Sequence, residues 1–140
     1  MYILIVGAGR VGSAVAKRAL EAGHQVSVLD SDPLSHERLD KDQSTSWEDA
    51  GGEFTVGAAL EIDGLIAAGI EKADVFMAAT RGDNTNLVIA QLAQRRFNVP
   101  RVVVRVADPA RAGWYAEQGL VTICPTQHAI DQAEQVVLAG

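Results

Sequence analysis

Three glycines stand in the run Gly7-Ala8-Gly9-Arg10-Val11-Gly12, and a carboxylate, Asp30, follows 18 residues after the last of them. Placed between a strand and a helix, such a turn binds phosphate. Gly7 permits a tight exit from the strand, Gly9 brings bare backbone up to a pyrophosphate, and Gly12 lets the helix pack closely on the sheet. The helix N-terminus adds free N–H groups and about half a unit of positive charge. Asp30, at the end of a second strand, is placed to accept both hydroxyls of an adenosine ribose; its other reading is a helix N-cap or turn residue. A carboxylate there, with no obvious arginine after it, disfavours the 2′-phosphate of NADP.

Further polar residues extend this constellation. Arg10 is a cation at the positive end of a helix dipole, an unfavourable placement unless an anion is bound, so it reads as a charge-assisted phosphate donor. Asp32 is balanced between capping before Pro33 and a second ribose contact. Arg105, inside the apolar run Val102 to Val106, either points past the strand end to the ligand or pairs with Asp108. Ala78-Ala79-Thr80 ends another strand, where small residues leave room opposite the glycine turn. Asp83, Asn84 and Asn86 read as caps of the following helix, Asp83 and Asn84 above all.

The elements that position these residues alternate. Ile3 to Val6 is an unbroken apolar run ending at Gly7, as expected of a strand buried on both faces. Val11, Val15, Ala19 and Ala22 form a helical stripe ending at Gly23, and Val26 to Asp30 is the next strand. After an irregular polar excursion through Ser31 to Gly52, strands are expected at Phe54–Gly57, Val75–Ala79, Val102–Val106 and Leu120–Cys124. Helices are expected near Ser35–Leu39, Leu60–Ala68, Asp83–Phe97, Pro109–Gln118 and Gln127–Leu138. The fold class is therefore α/β, a Rossmann-type doubly wound parallel sheet of six strands in the order 3-2-1-4-5-6, spanning residues 1–140 as one domain.

Composition narrows the function classes. A formal charge of −6, a pI near 4.9 and scattered basic residues exclude a broad nucleic-acid or anionic-membrane surface. No apolar run reaches the roughly 18 residues that span a bilayer, so a cytoplasmic chain without direct membrane insertion is expected. The single Cys124 forms no internal disulfide, and His24, His36 and His128 lack metal-ligand spacing, so no metal site is expected. No Tyr-x-x-x-Lys pair is present, and no catalytic residue is assigned.

Across nearly its whole length the chain resembles the TrkA-N or RCK family of nucleotide-binding domains that regulate potassium channels and uptake systems. The resemblance is carried by Ile5 to Gly12, Leu29-Asp30-Ser31-Asp32, Ala68 to Asp74, Ala79 to Leu87, Arg101 to Pro109 and Gly119 to Pro125. It implies a non-catalytic regulatory subunit, peripheral to the membrane, that binds NAD(H) or alternatively ATP, ADP or AMP. It also implies self-association as a homodimer or higher oligomer, and docking on an integral membrane potassium-translocating partner. By position, Arg10 and Arg105 meet phosphates, Asp30 and Asp32 the ribose, Ala79 and Thr80 the wall by the glycine turn, and Ala58 the adenine. The family often has Gly-Asp where this chain has Gly57-Ala58, so base selectivity through that carboxylate is not expected; it often has Pro-Glu where this chain has Pro125-Thr126, so a metal-bridged triphosphate is disfavoured against a dinucleotide. The alternatives are the cofactor-binding part of an NAD-dependent oxidoreductase and a regulator of a cation/proton antiporter.

Overall fold

The computed structural model describes residues 1–140. The chain runs β1 (Tyr2–Val6), α1 (Arg10–Glu21) and β2 (Gln25–Asp30), then a 3-10 turn (Pro33–Ser35) leading into α2 (His36–Asp40). It continues through β3 (Glu53–Val56), α3 (Ile62–Ala67), β4 (Val75–Ala78) and α4 (Asp83–Gln91), which ends in a π turn over Leu92–Arg96. Last come β5 (Arg101–Arg105), α5 (Pro109–Glu117), β6 (Val121–Ile123) and α6 (Pro125–Val137). All pairings are parallel and the order is β3-β2-β1-β4-β5-β6, as expected from the alternation of elements.

Every residue of β1 is buried, because helices cover both faces of the sheet. Tyr2, Leu4 and Val6 pack on one face with Leu65, Ile89 and Tyr115; Ile3 and Ile5 pack on the other with Ala16, Leu39 and Trp47. Each large side chain withdrawn from water contributes about 1.5–3 kcal/mol before chain entropy is counted.

The structure corrects the expected contact face of α1. Gly12, Ser13 and Ala16 are buried, whereas Val15 is 41% exposed and Ala22 is exposed. Small side chains let the helix sit close to the strands; of the expected stripe, Val11 and Ala19 pack against the core while Val15 and Ala22 turn outward. No residue of α6 is buried, so its Ile130, Ala133 and Val137 side does not pack on the sheet. No helix is long and apolar enough to cross a membrane.

Candidate functional site

A groove of about 640 Å³ opens beyond the carboxyl ends of β1, β2 and β4, at the β1/β4 boundary where the winding reverses. Gly7 makes its floor possible. Its φ is +105°, and a Cβ there would stand 2.7 Å from the Ala79 carbonyl carbon and oxygen. Gly12 lies beneath the groove rather than in its wall, and a Cβ on it would meet the Gly7 carbonyl oxygen at 1.9 Å. A Cβ on Gly9, by contrast, would have nothing within 4 Å and would project into open space. The glycine turn is thus a cradle that a side chain would fill at one position and that sterics impose at the other two. Gly9 is the N-cap of α1 and supplies no side-chain cap, so the first N–H groups of that helix remain free for an anion.

Asp30 closes the end of the groove next to β2. Its Oδ2 accepts from Ala8 N at 2.7 Å and its Oδ1 from Asp32 N at 2.8 Å. It is therefore not a helix cap: it braces the glycine turn and keeps one free lone-pair site on each oxygen for a ribose hydroxyl. Asp32 does cap, accepting from Leu34 N at 2.9 Å, and it also lines the groove.

The opposite wall is built around Asn86, which is fully buried. Its Oδ1 accepts from Thr80 N at 3.0 Å and from Thr80 Oγ1 at 2.6 Å, while its Nδ2 donates to the carbonyls of Thr80 at 2.9 Å and Arg105 at 3.0 Å. One amide thus clamps the ends of β4 and β5 together. Arg105 Nη1 donates to Thr80 O at 3.2 Å, and its Nε is buried with no partner in the chain. Arg105 faces the groove, and Asp108 pairs instead with Arg111 at 3.8 Å.

The remaining cap readings divide. Asp83 does not cap α4, whose N-cap is Gly82; it accepts from Ala107 N at 2.8 Å and Asp108 N at 3.1 Å, tying down the loop after β5. Asn84 accepts from Arg111 Nη1 at 2.8 Å.

Four arginines, Arg10, Arg38, Arg81 and Arg105, line the groove against two aspartates, Asp30 and Asp32. The lining carries a formal +2 in a chain of −6, so four of the twelve basic residues, far apart in the sequence, are gathered in space. Such a field favours a polyanion of the charge of a pyrophosphate. The orphaned Arg105 Nε, the open space over Gly9 and the free helix N–H groups all fit a bound phosphate chain.

Gly7, Gly9, Arg10, Val11, Asp30, Asp32, Ala79, Thr80 and Arg105 come together in the lining. Ala58 does not: its neighbours Gly57 and Ala59 form the wall, while Ala58 is exposed and its carbonyl accepts from Glu61 N at 3.1 Å. Asn86 is a clamp between strand ends and not the helix cap expected of it, and Arg38 and Arg81 escaped assignment from sequence because nothing local marks an exposed arginine on a short helix or in a loop. His36 meets two carboxylates that spacing alone did not connect, Asp40 through Nδ1 at 3.2 Å and Glu48 through Nε2. The ligand atoms of His36, Asp40 and Glu48 lie within 4.8 Å of one another, a cluster of metal-ligating types that the sequence reading did not anticipate.

Comparison with known proteins bears on the family and the fold. The model of the TrkA-N domain matches residues 3–125. The Trk system potassium uptake protein TrkA of Streptomyces coelicolor is 40% identical over 132 residues, covering 94% of this chain and 56% of that protein. The chain spans about half the length of the curated relatives it matches. Among solved structures, the Shewanella denitrificans Kef CTD in AMP-bound form superposes with a TM-score of 0.75 at 23% identity, covering 100% of this chain and 84% of that one. The GsuK channel bound to NAD superposes with a TM-score of 0.67 at 14% identity, covering 89% of this chain and 21% of that one. On the family match and the six-stranded fold together, this chain belongs to the TrkA-N domain family.

Proposed function

We propose that the chain is a nucleotide-sensing unit of potassium transport, holding NAD(H) or an adenosine mono-, di- or triphosphate and passing its occupancy to an integral membrane potassium-translocating partner. The observation that carries this reading is the convergence of four arginines and Asp30 around the bare backbone of Gly9. The relatives named as Trk potassium uptake proteins supply the transport context, and neighbours carrying AMP and NAD supply the ligand class. Asp30 takes the adenosine ribose, while Arg10, Arg105 and the start of α1 take the phosphates. The ligand is bound and not turned over. His128, the one candidate base outside this set, lies on α6 and away from the groove wall.

Residues 1–140 are read here as one sensing domain, working beside the membrane through its partner. It self-associates at least to a dimer through α6, where Ile130 is 48% and Val137 76% exposed. Native mass spectrometry of the purified protein tests ligand and assembly together: a retained adenine nucleotide on a dimer or larger species is expected. A ligand-free monomer that fails to bind NADH, ADP or AMP on titration overturns the reading. Steady NADH oxidation abolished by Gly9→Ala would favour an oxidoreductase instead. The likeness to the Kef CTD favours, as a second reading, regulation of a cation/proton antiporter, and the membrane protein that co-purifies with the chain decides between the two.

A further inference from the structure

Arg38 stands eight residues after Asp30 on α2, and the turn opened by Asp32 and Pro33 carries it back over the glycine loop. Its Nη1 donates to Ala8 O at 3.3 Å, while the N–H of the same Ala8 donates to Asp30 Oδ2 at 2.7 Å. A guanidinium and a carboxylate therefore grip one peptide residue from its two ends, and both line the adenosine end of the groove. Arg38 forms no salt bridge with any carboxylate of the chain. With one donor engaged, the rest of its planar fork is free for an anion at the groove rim, the bidentate geometry that suits a phosphate. Asp30, for its part, already accepts from two backbone N–H groups, one on each oxygen.

We propose that Arg38 is a specificity-determining residue that lets the adenosine end of the groove accept a 2′-phosphate, so that NADP(H) binds comparably to NAD(H). This rests on the nucleotide-binding reading above and departs from the sequence-based expectation that NADP is disfavoured, which found no obvious arginine after Asp30. Attraction to the guanidinium acts against two losses at Asp30: repulsion between the carboxylate and the added phosphate, and the hydrogen bond that the 2′-hydroxyl no longer donates. They offset one another, and the net preference between the two dinucleotides falls within about tenfold.

Calorimetric titration of NADH and NADPH into the wild-type protein, Arg38→Ala and Arg38→Lys tests this, with melting curves alongside. The expected result is that the wild type binds both within about tenfold, and that Arg38→Ala weakens NADPH by roughly tenfold or more, while NADH stays within about threefold. Arg38→Lys should retain part of the NADPH affinity, because the charge remains and the fork is lost. Two results overturn the proposal and leave nucleotide binding intact: wild type that binds NADH but rejects NADPH by about a hundredfold or more, or Arg38→Ala weakening both dinucleotides equally, which would make Arg38 only a brace for Ala8. Failure of the wild type to bind NADH, NADPH or AMP overturns the nucleotide-binding reading itself, and this proposal with it.

Discussion

The two ends of the parallel sheet treat their polar groups in opposite ways. At the amino ends the chain closes on itself. Tyr2 N donates to Asp74 Oδ2 at 2.7 Å, Asp74 N returns a bond to Tyr2 O at 2.8 Å, and the Tyr2 hydroxyl donates to Ala68 O at 3.0 Å. At the carboxyl ends the first turn of α1 is uncapped by any side chain, Arg105 Nε has no partner, and Gly9 looks into open space. At the amino ends the sheet is scaffold; at the carboxyl ends helix N–H groups and a guanidinium face an open groove and offer donors that the chain itself does not use.

The largest effect is expected at the glycines, which separate scaffold from site within one motif. Gly12→Ala sets a methyl 1.9 Å from backbone, so α1 must move off the sheet. We expect a loss of about 3 kcal/mol or more in thermal denaturation, with nucleotide affinity falling too. Gly9→Ala adds its methyl to open groove, and should leave stability within about 0.5 kcal/mol while weakening nucleotide titration. Equal destabilisation by both would erase the distinction.

Next in size is Asn86→Ala, which removes four hydrogen bonds from a fully buried clamp. Urea denaturation should show a loss of about 2–3 kcal/mol, accompanied by weaker nucleotide binding as Thr80 and Arg105 are released. Lowered stability with unchanged affinity would assign Asn86 to the scaffold alone.

Asp30→Ala should cost about 1.5–3 kcal/mol of NAD affinity, roughly 10- to 150-fold, by calorimetry. Because Ala8 N and Asp32 N lose their acceptor, stability should also fall by about 1 kcal/mol. Unchanged NAD affinity would remove Asp30 from the ribose site and leave it a turn brace.

The smallest effect tests the closed end. Tyr2→Phe gives up the bond to Ala68 O and should cost about 1 kcal/mol near neutral pH. Burial, reinforced by the nearby Glu53 charge, raises the Tyr2 hydroxyl above its ordinary value of 10.0. A folded-state value above the unfolded one means that the stabilisation is complete below the unfolded value and is lost as pH rises through the folded one. The gap between wild type and Tyr2→Phe should therefore hold up to about pH 10 and shrink only as the pH rises above it, and a constant gap would show that the phenol does not titrate differently on unfolding.

Much of this architecture is legible in local sequence. An apolar run ending in glycine, a helix opened by proline and a carboxylate closing a strand each reflect sterics or capping within a few residues, and the order of six strands follows from their alternation. The glycine turn and Asp30 were legible for the same reason. Ala58 was not placed correctly, because which of three adjacent small residues faces a groove depends on how the loop after β3 lies. The sheet face of α1 was misread because size was taken for burial: Val15 is the larger residue, yet the sheet selects Gly12 and Ala16, which let the backbones approach.

What the sequence alone determined is the set of conformations each short segment prefers, and hence the elements, their order and the tight glycine turn between β1 and α1. The charge of the site was decided only in three dimensions. Arg10, Arg38, Arg81 and Arg105 are spread over 95 positions of an acidic chain, and the crossovers bring them to one groove. Electrostatic interaction depends on separation through space and on the medium between the charges, so neither the field over Gly9 nor the meeting of Arg38 with Ala8 exists until the sheet is wound.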